Sequence, residues 1–169
     1  MRKFLQQGKL DGLCGLYSVL NCLDYLCGPF DESYHNELFS TLVKKQPEIF
    51  PACVYEGTEK SHVIKWLKIG SRTLGVKLAV ITAYESRYFI KNIEYWREMQ
   101  QITRTRNTCA VIGLGDPWNH WTVLTHIKNN RAHFLDSYGI KSRSLSWFGN
   151  GNKQTQILTD ETLLVQRLD

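Results

Sequence analysis

The stretch from Cys14 to Cys27 constrains this chain more than any other part of it. Leu16, Val19, Leu20, Leu23 and Leu26 recur at helical spacing, and the run stops at Cys27-Gly28-Pro29. The spacing predicts a buried helix of about three to four turns. A thiol stands at its start, because Asp11-Gly12-Leu13-Cys14-Gly15 sets a cysteine between two flexible glycine positions directly ahead of the helix. There the sulfur sees the positive end of the helix dipole and several unpaired backbone amides, both of which favour negative charge on it. A cysteine nucleophile requires such a setting, whereas free cysteine elsewhere is usually a small buried residue. Cys22, Cys27, Cys53 and Cys109 read as the latter, since they sit in apolar runs or lack partners.

The rest of the chain supplies ordinary material for enclosing such a helix. At 169 residues and 43% hydrophobic, with no repeat, linker or biased tract, residues 1–169 are expected to form a single domain. Asp31 can cap a second helix carrying Tyr34, Leu38, Leu42 and Val43 on one face, and a third is expected from about Thr58 with Val63, Ile64, Trp66 and Leu67 inward. The run from Gly75 to Thr82 has strand length and β-branched enrichment; between about Ser86 and Gln101, Phe89, Ile90, Ile93 and Trp96 suit a helix, although Tyr88-Phe89-Ile90 could also be extended. Three further strands are expected over Cys109 to Leu114, His120 to Ile127 and Ala132 to Tyr138, with Glu161 to Arg167 as a closing strand. Helices first and an antiparallel sheet later make an α+β domain.

Composition excludes several function classes. Apolar stretches are too short to span a bilayer, and no targeting segment is visible at the start. The five cysteines form neither a CxxC pair nor a matched Cys/His set, so no metal or other cofactor is expected, and reduced thiols favour a cytoplasmic protein, or one exported as an effector without a cleavable signal. The net charge is +5, but the basic residues are spread thinly, so no nucleic-acid partner is expected. The oligomeric state is left open.

A second constellation lies far downstream of Cys14. Asn119-His120-Trp121-Thr122-Val123-Leu124 is followed by a turn signal at Lys128-Asn129-Asn130-Arg131 and then by Phe134-Leu135-Asp136-Ser137-Tyr138-Gly139. A histidine opening one strand and a carboxylate near the end of its hairpin partner can meet across the sheet. The carboxylate would hold the imidazole in the tautomer that takes a thiol proton. Side chains alternate faces along a strand, so an even loop with regular pairing would set Asp136 on the face opposite His120. The pairing therefore predicts an odd-length loop or a bulge, with Asn130 left-handed. Without either, Asp116 or Asn119 would replace Asp136. His126 and His133 flank the turn and read as surface residues.

The order of these groups resembles the papain-like cysteine peptidase superfamily: cysteine before a long buried helix, histidine at a strand start, then an acid or amide on the next strand. The texture is similar to bacteriocin-leader-processing (C39-like) peptidases, which have a glutamine ahead of Cys-Gly and a helix, and to Josephin-type deubiquitinases, which have a similar small size and a His-Trp pair. The specific motifs occupy residues 6–21, 119–124 and 134–139. The resemblance implies a papain-like α+β fold, with N-terminal helices, the buried nucleophile helix among them, packed on a C-terminal antiparallel sheet. It gives Cys14, His120 and Asp136 the roles of nucleophile, base and orienting group, and implies a protein or peptide substrate. It gives an upstream glutamine the role of oxyanion donor. Gln7 is the first candidate and Gln6 the reserve, although the family places its glutamine closer to the cysteine; Asn21 or a loop amide would stand in if neither serves. Asp11 also matches the Asp-Gly-x-Cys of OTU-type deubiquitinases, but Gly15 stands where those enzymes have a large apolar residue, so Asp11 reads as a turn or N-cap residue. Trp118, Gly15 and Asn119 are placed on the substrate side, and Trp121 as a shield for His120.

The reaction that follows is hydrolysis of a peptide or isopeptide bond through a Cys14 acyl-enzyme. Deamidation, transglutamination and acyl transfer use the same three groups with a different acceptor, and an inactive binding module that keeps the fold is an alternative of another class.

Overall fold

The computed structural model describes residue 5 and residues 12–84, 91–149 and 154–169; Gln6, Gln7 and Asp11 lie outside the described residues. The apolar run folds as α1 (Cys14–Cys27), and Leu16, Val19, Leu20, Cys22 and Leu23 are completely buried. Each leucine or valine so buried contributes about 1.5–3 kcal/mol relative to exposure. Asp31 caps α2 (Glu32–Lys44), its carboxylate accepting from the Tyr34 N–H at 2.8 Å. A short helix absent from the sequence expectation follows, α3 (Phe50–Glu56), with Pro51 in its first turn. The next helix, α4 (Lys60–Leu74), is capped by Glu59 rather than starting at Thr58, and it ends at Gly75, whose φ of 65° is left-handed. The strand expected from Gly75 therefore begins only at Leu78.

Among the described residues, six strands form one sheet in the order β1-β6-β2-β3-β4-β5, with antiparallel neighbours. They are β1 (Leu78–Thr82), β2 (Thr108–Leu114), β3 (His120–Lys128), β4 (Arg131–Leu135), β5 (Ser142–Ser144) and β6 (Ile157–Arg167); α5 (Asn92–Ile102) lies between β1 and β2 in sequence. Two differences from expectation matter for the site. β4 stops at Leu135, so Asp136, Ser137 and Tyr138 leave the strand, and β6 starts well before Glu161.

Central strand β2 is buried along its whole length, as a strand covered on both faces must be. Cys109 and Val111 face α1, α2 and α4 together with Trp121, Val123, Leu163 and Val165. Ala110, Ile112 and Leu114 face the other way, toward Tyr95, Trp96 and Met99 of α5. Helices thus cover both faces of the sheet, α1 lying against β3 and β2 on one and α5 on the other. Among the described residues, no helix is long and apolar enough to cross a membrane.

Candidate active site

Cys14 is the first residue of α1, and its sulfur is held from the sheet. β4 ends opposite Val123, so the first residues of β3 have no strand partner on that side. Into this gap the Trp121 N–H donates to Cys14 Sγ at 3.5 Å. The Trp121 indole is pinned in turn, its Nε1–H donating to the Thr58 carbonyl at 2.7 Å, while the Thr58 hydroxyl donates to the Gly12 carbonyl at 3.1 Å. Trp121 is therefore a buried strut between the thiol and the loop before α4. The two glycines around Cys14 prove to serve close approach rather than flexibility. A Cβ on Gly12 would lie 2.6 Å from the Cys53 carbonyl oxygen, and one on Gly15 would collide with the Thr58 methyl.

His120 and Asp136 meet on one face, for the reason the pairing arithmetic requires. The turn is an even two-residue loop, Asn129-Asn130, and both asparagines are left-handed with φ of 51° and 57°. Pairing runs from Lys128 with Arg131 to His126 with His133, and then resumes with Leu124 opposite Phe134. Thr125 is the bulged residue, and its hydroxyl donates to the His133 carbonyl at 3.1 Å. Continuing the shifted register places Asp136 beside Thr122, on the same face as His120.

The His120 Nε2 to Asp136 Oδ2 distance is 2.8 Å, and both side chains are 0% exposed. The other carboxylate oxygen, Oδ1, accepts from the Tyr138 N–H at 2.8 Å and the Ile140 N–H at 3.2 Å. Leaving the strand is what lets the chain curl around the carboxylate in this way. Tyr138 returns as a flat cover, its ring stacked 4.2 Å from the imidazole at 10°. Burial alone would lower the His120 pKa, but the hydrogen bond to Asp136, together with the nearness of Cys14 and the charges of both, raises it to about 9. Burial would likewise raise that of Asp136, yet His120, with the Thr122 hydroxyl and the Ile140 N–H, brings it below the ordinary carboxylate value. His120 Nδ1, the nitrogen that Asp136 leaves over, is buried and makes no hydrogen bond with a described residue.

Cys14, His120 and Trp121 open on a cavity of about 250 Å³, which Asn119, Thr58, Tyr138 and the carboxylates Glu56 and Glu161 also line. A larger hollow of about 500 Å³ lies beside α5, but none of Cys14, His120 or Asp136 borders it. Of the residues expected on the substrate side, Asn119 lines the cavity with a left-handed φ of 42°. Gly15 lies beneath Thr58 instead, and Trp118, 39% exposed, leans on Trp147 with ring centroids 5.9 Å apart. Asn21 holds the preceding segment, accepting from the Leu5 N–H at 2.9 Å and donating to its carbonyl at 3.3 Å. His126 and His133 stack on each other 4.3 Å apart beside the turn, away from the thiol. Sequence reasoning missed Thr58 and Glu161, which reach the site through tertiary contacts that no local pattern announces, and it passed over Tyr138 although that residue stands in the motif it quoted.

No protein-family model matches the sequence, and no curated protein matches it. Among solved structures, the chain is similar to the peptidase domain of Streptococcus ComA, described as a bifunctional ABC transporter involved in a quorum-sensing pathway. The TM-score is 0.55 at 13% identity, over 99% of this chain and 98% of that one. What such a likeness carries is the fold: mixed helices and an antiparallel sheet laid out as in a peptidase domain, in keeping with the papain-like α+β architecture that the sequence resemblance implied.

Proposed function

We propose that the protein is a thiol hydrolase that cleaves a peptide or isopeptide bond through an acyl-enzyme on Cys14. The observation that carries this reading is the buried His120–Asp136 pair at 2.8 Å, whose histidine lines one cavity with a cysteine at a helix N-terminus. Asp136 fixes Nε2 of the imidazole, which leaves Nδ1 to exchange a proton with the thiol. The thiolate adds to the carbonyl carbon, and the imidazolium gives its proton to the leaving amine. Water, activated by the same histidine, then releases the acid and the free thiol. Gln7, which lies outside the described residues, takes by the sequence resemblance alone the role of a second donor to the developing oxyanion; removing one such donor costs about 2.7–4 kcal/mol of transition-state stabilisation.

Iodoacetamide alkylation followed by peptide mapping, run beside a fluorogenic peptide-amide screen, tests the reading. The expected result is alkylation at Cys14 faster than at the other four cysteines, slowed in His120→Ala, and hydrolysis lost in both Cys14→Ala and His120→Ala while the circular dichroism spectrum is kept. A folded protein whose Cys14 reacts no faster than the buried Cys22 would sink it.

A further inference from the structure

The cavity beside Cys14 contains a carboxylate that the proposed chemistry does not use. β2 and β6 pair regularly from Thr108 with Gln166 to Ile112 with Thr162, but the next pair is Gly113 with Leu158. Thr159, Asp160 and Glu161 are thus looped out of the ladder, and bulges of this kind re-aim side chains beside functional sites. The looped segment carries Glu161 over Gly113, so closely that a Cβ there would collide with the carboxylate, and delivers it to the wall of the cavity that holds Cys14 and His120. Glu161 makes no hydrogen bond or ion pair with a described residue. Burial and the neighbouring Asp160 raise its pKa, and Lys60 lowers it only as a weaker influence, its ammonium donating to the Asp160 carbonyl at 2.9 Å. Glu56 adds a second carboxylate to the rim. His120, whose Nδ1 is buried and makes no hydrogen bond with a described residue, lines the same cavity, so Glu161 shares its space with the proposed reaction centre.

We infer that Glu161 is a specificity-determining residue that receives a cationic side chain, lysine or arginine, adjacent to the bond being cleaved. The inference rests on the thiol-hydrolase reading and adds the substrate class to it. A half-buried carboxylate to which no described residue donates is unfavourable, and an arriving ammonium or guanidinium supplies charge and donors to it. Because this carboxylate and the thiol line one cavity of about 250 Å³, the cation would be read at positions close to the scissile bond.

Three peptidyl acyloxymethyl ketones that differ only in lysine, norleucine or glutamate beside the reactive carbonyl test this on the purified chain, with the second-order rate of Cys14 labelling as the readout. Wild type should label about tenfold faster with the lysine probe than with norleucine, and the ratio should fall as salt rises. In Glu161→Gln the ratio should drop to about one, and Glu161→Lys should favour the glutamate probe. Equal rates for all three probes in wild type, or a lysine preference that survives Glu161→Gln, overturn the cation subsite while leaving the thiol chemistry standing. If no probe labels Cys14 although the protein is folded, the hydrolase reading fails and the subsite with it.

Discussion

The proton affinity of His120 is where the electrostatics of the site become measurable. Its pKa is raised to about 9 from 6.5, so the stability that this group contributes is fully present below pH 6.5 and is lost as pH rises through about 9. Asp136 is shifted the other way, from 3.8 downward, so its contribution is present above pH 3.8 and is lost as pH falls through the lower folded value. Asp136→Asn should therefore destabilise most between those limits. Proton NMR of the imidazole should give a midpoint near 9 in wild type and a lower one in the variant. An unchanged midpoint would remove Asp136 from the role of orienting group. The amide can still accept from the imidazole, so the proposed hydrolysis should fall less than in His120→Ala. Cys14, His120 and Asp136 were all legible because each stands in a local pattern with chemical meaning. Thr58 was not, since its part is played by a carbonyl and a methyl that only the approach of α1 to the α4 loop brings into use.

Among the elements, α1 was the most legible, because apolar residues that recur at helical spacing over 14 residues have few other ways to fold. The cap of α2 was equally plain, but α3 spans only 7 residues and is too short for a period to show. The bulges at Thr125 and at Thr159 to Glu161 were out of reach residue by residue, because they follow from how neighbouring strands are pinned. Pairing arithmetic nevertheless required an irregularity between His120 and Asp136 before its place was known. The contact between the start of α1 and the loop ahead of α4 has a consequence for mutation. Gly15→Ala must push Thr58 away, and with it the carbonyl that holds Trp121. Overpacking of this kind costs about 1–3 kcal/mol. The expected outcome is a lowered denaturant midpoint together with slower Cys14 alkylation in the fraction that remains folded; an unaffected alkylation rate would show that the Trp121 strut does not position the thiol.

At the scale of the whole molecule, the sheet separates two apolar cores that share its strands, one around α1 and one around α5. Leu20→Ala in the first and Met99→Ala in the second should each cost about 2–5 kcal/mol, since both side chains are fully buried. Because β2 and β3 belong to both cores, both variants should shift one common unfolding transition, followed by far-ultraviolet circular dichroism and tryptophan fluorescence. Separate transitions would divide the chain into two folding units. The Thr125 bulge bears on how such a chain tolerates change over time. Loss of one residue from a strand ordinarily turns every side chain beyond it inside out, yet this hairpin holds one residue in reserve. Without Thr125, Leu124 and His126 become consecutive, and the pairs Leu124 with Phe134 and His126 with His133 join into an unbroken ladder. A variant lacking Thr125 should keep the high His120 midpoint. A lineage could shed this residue, and gain it again, without passing through a form in which histidine and carboxylate had parted.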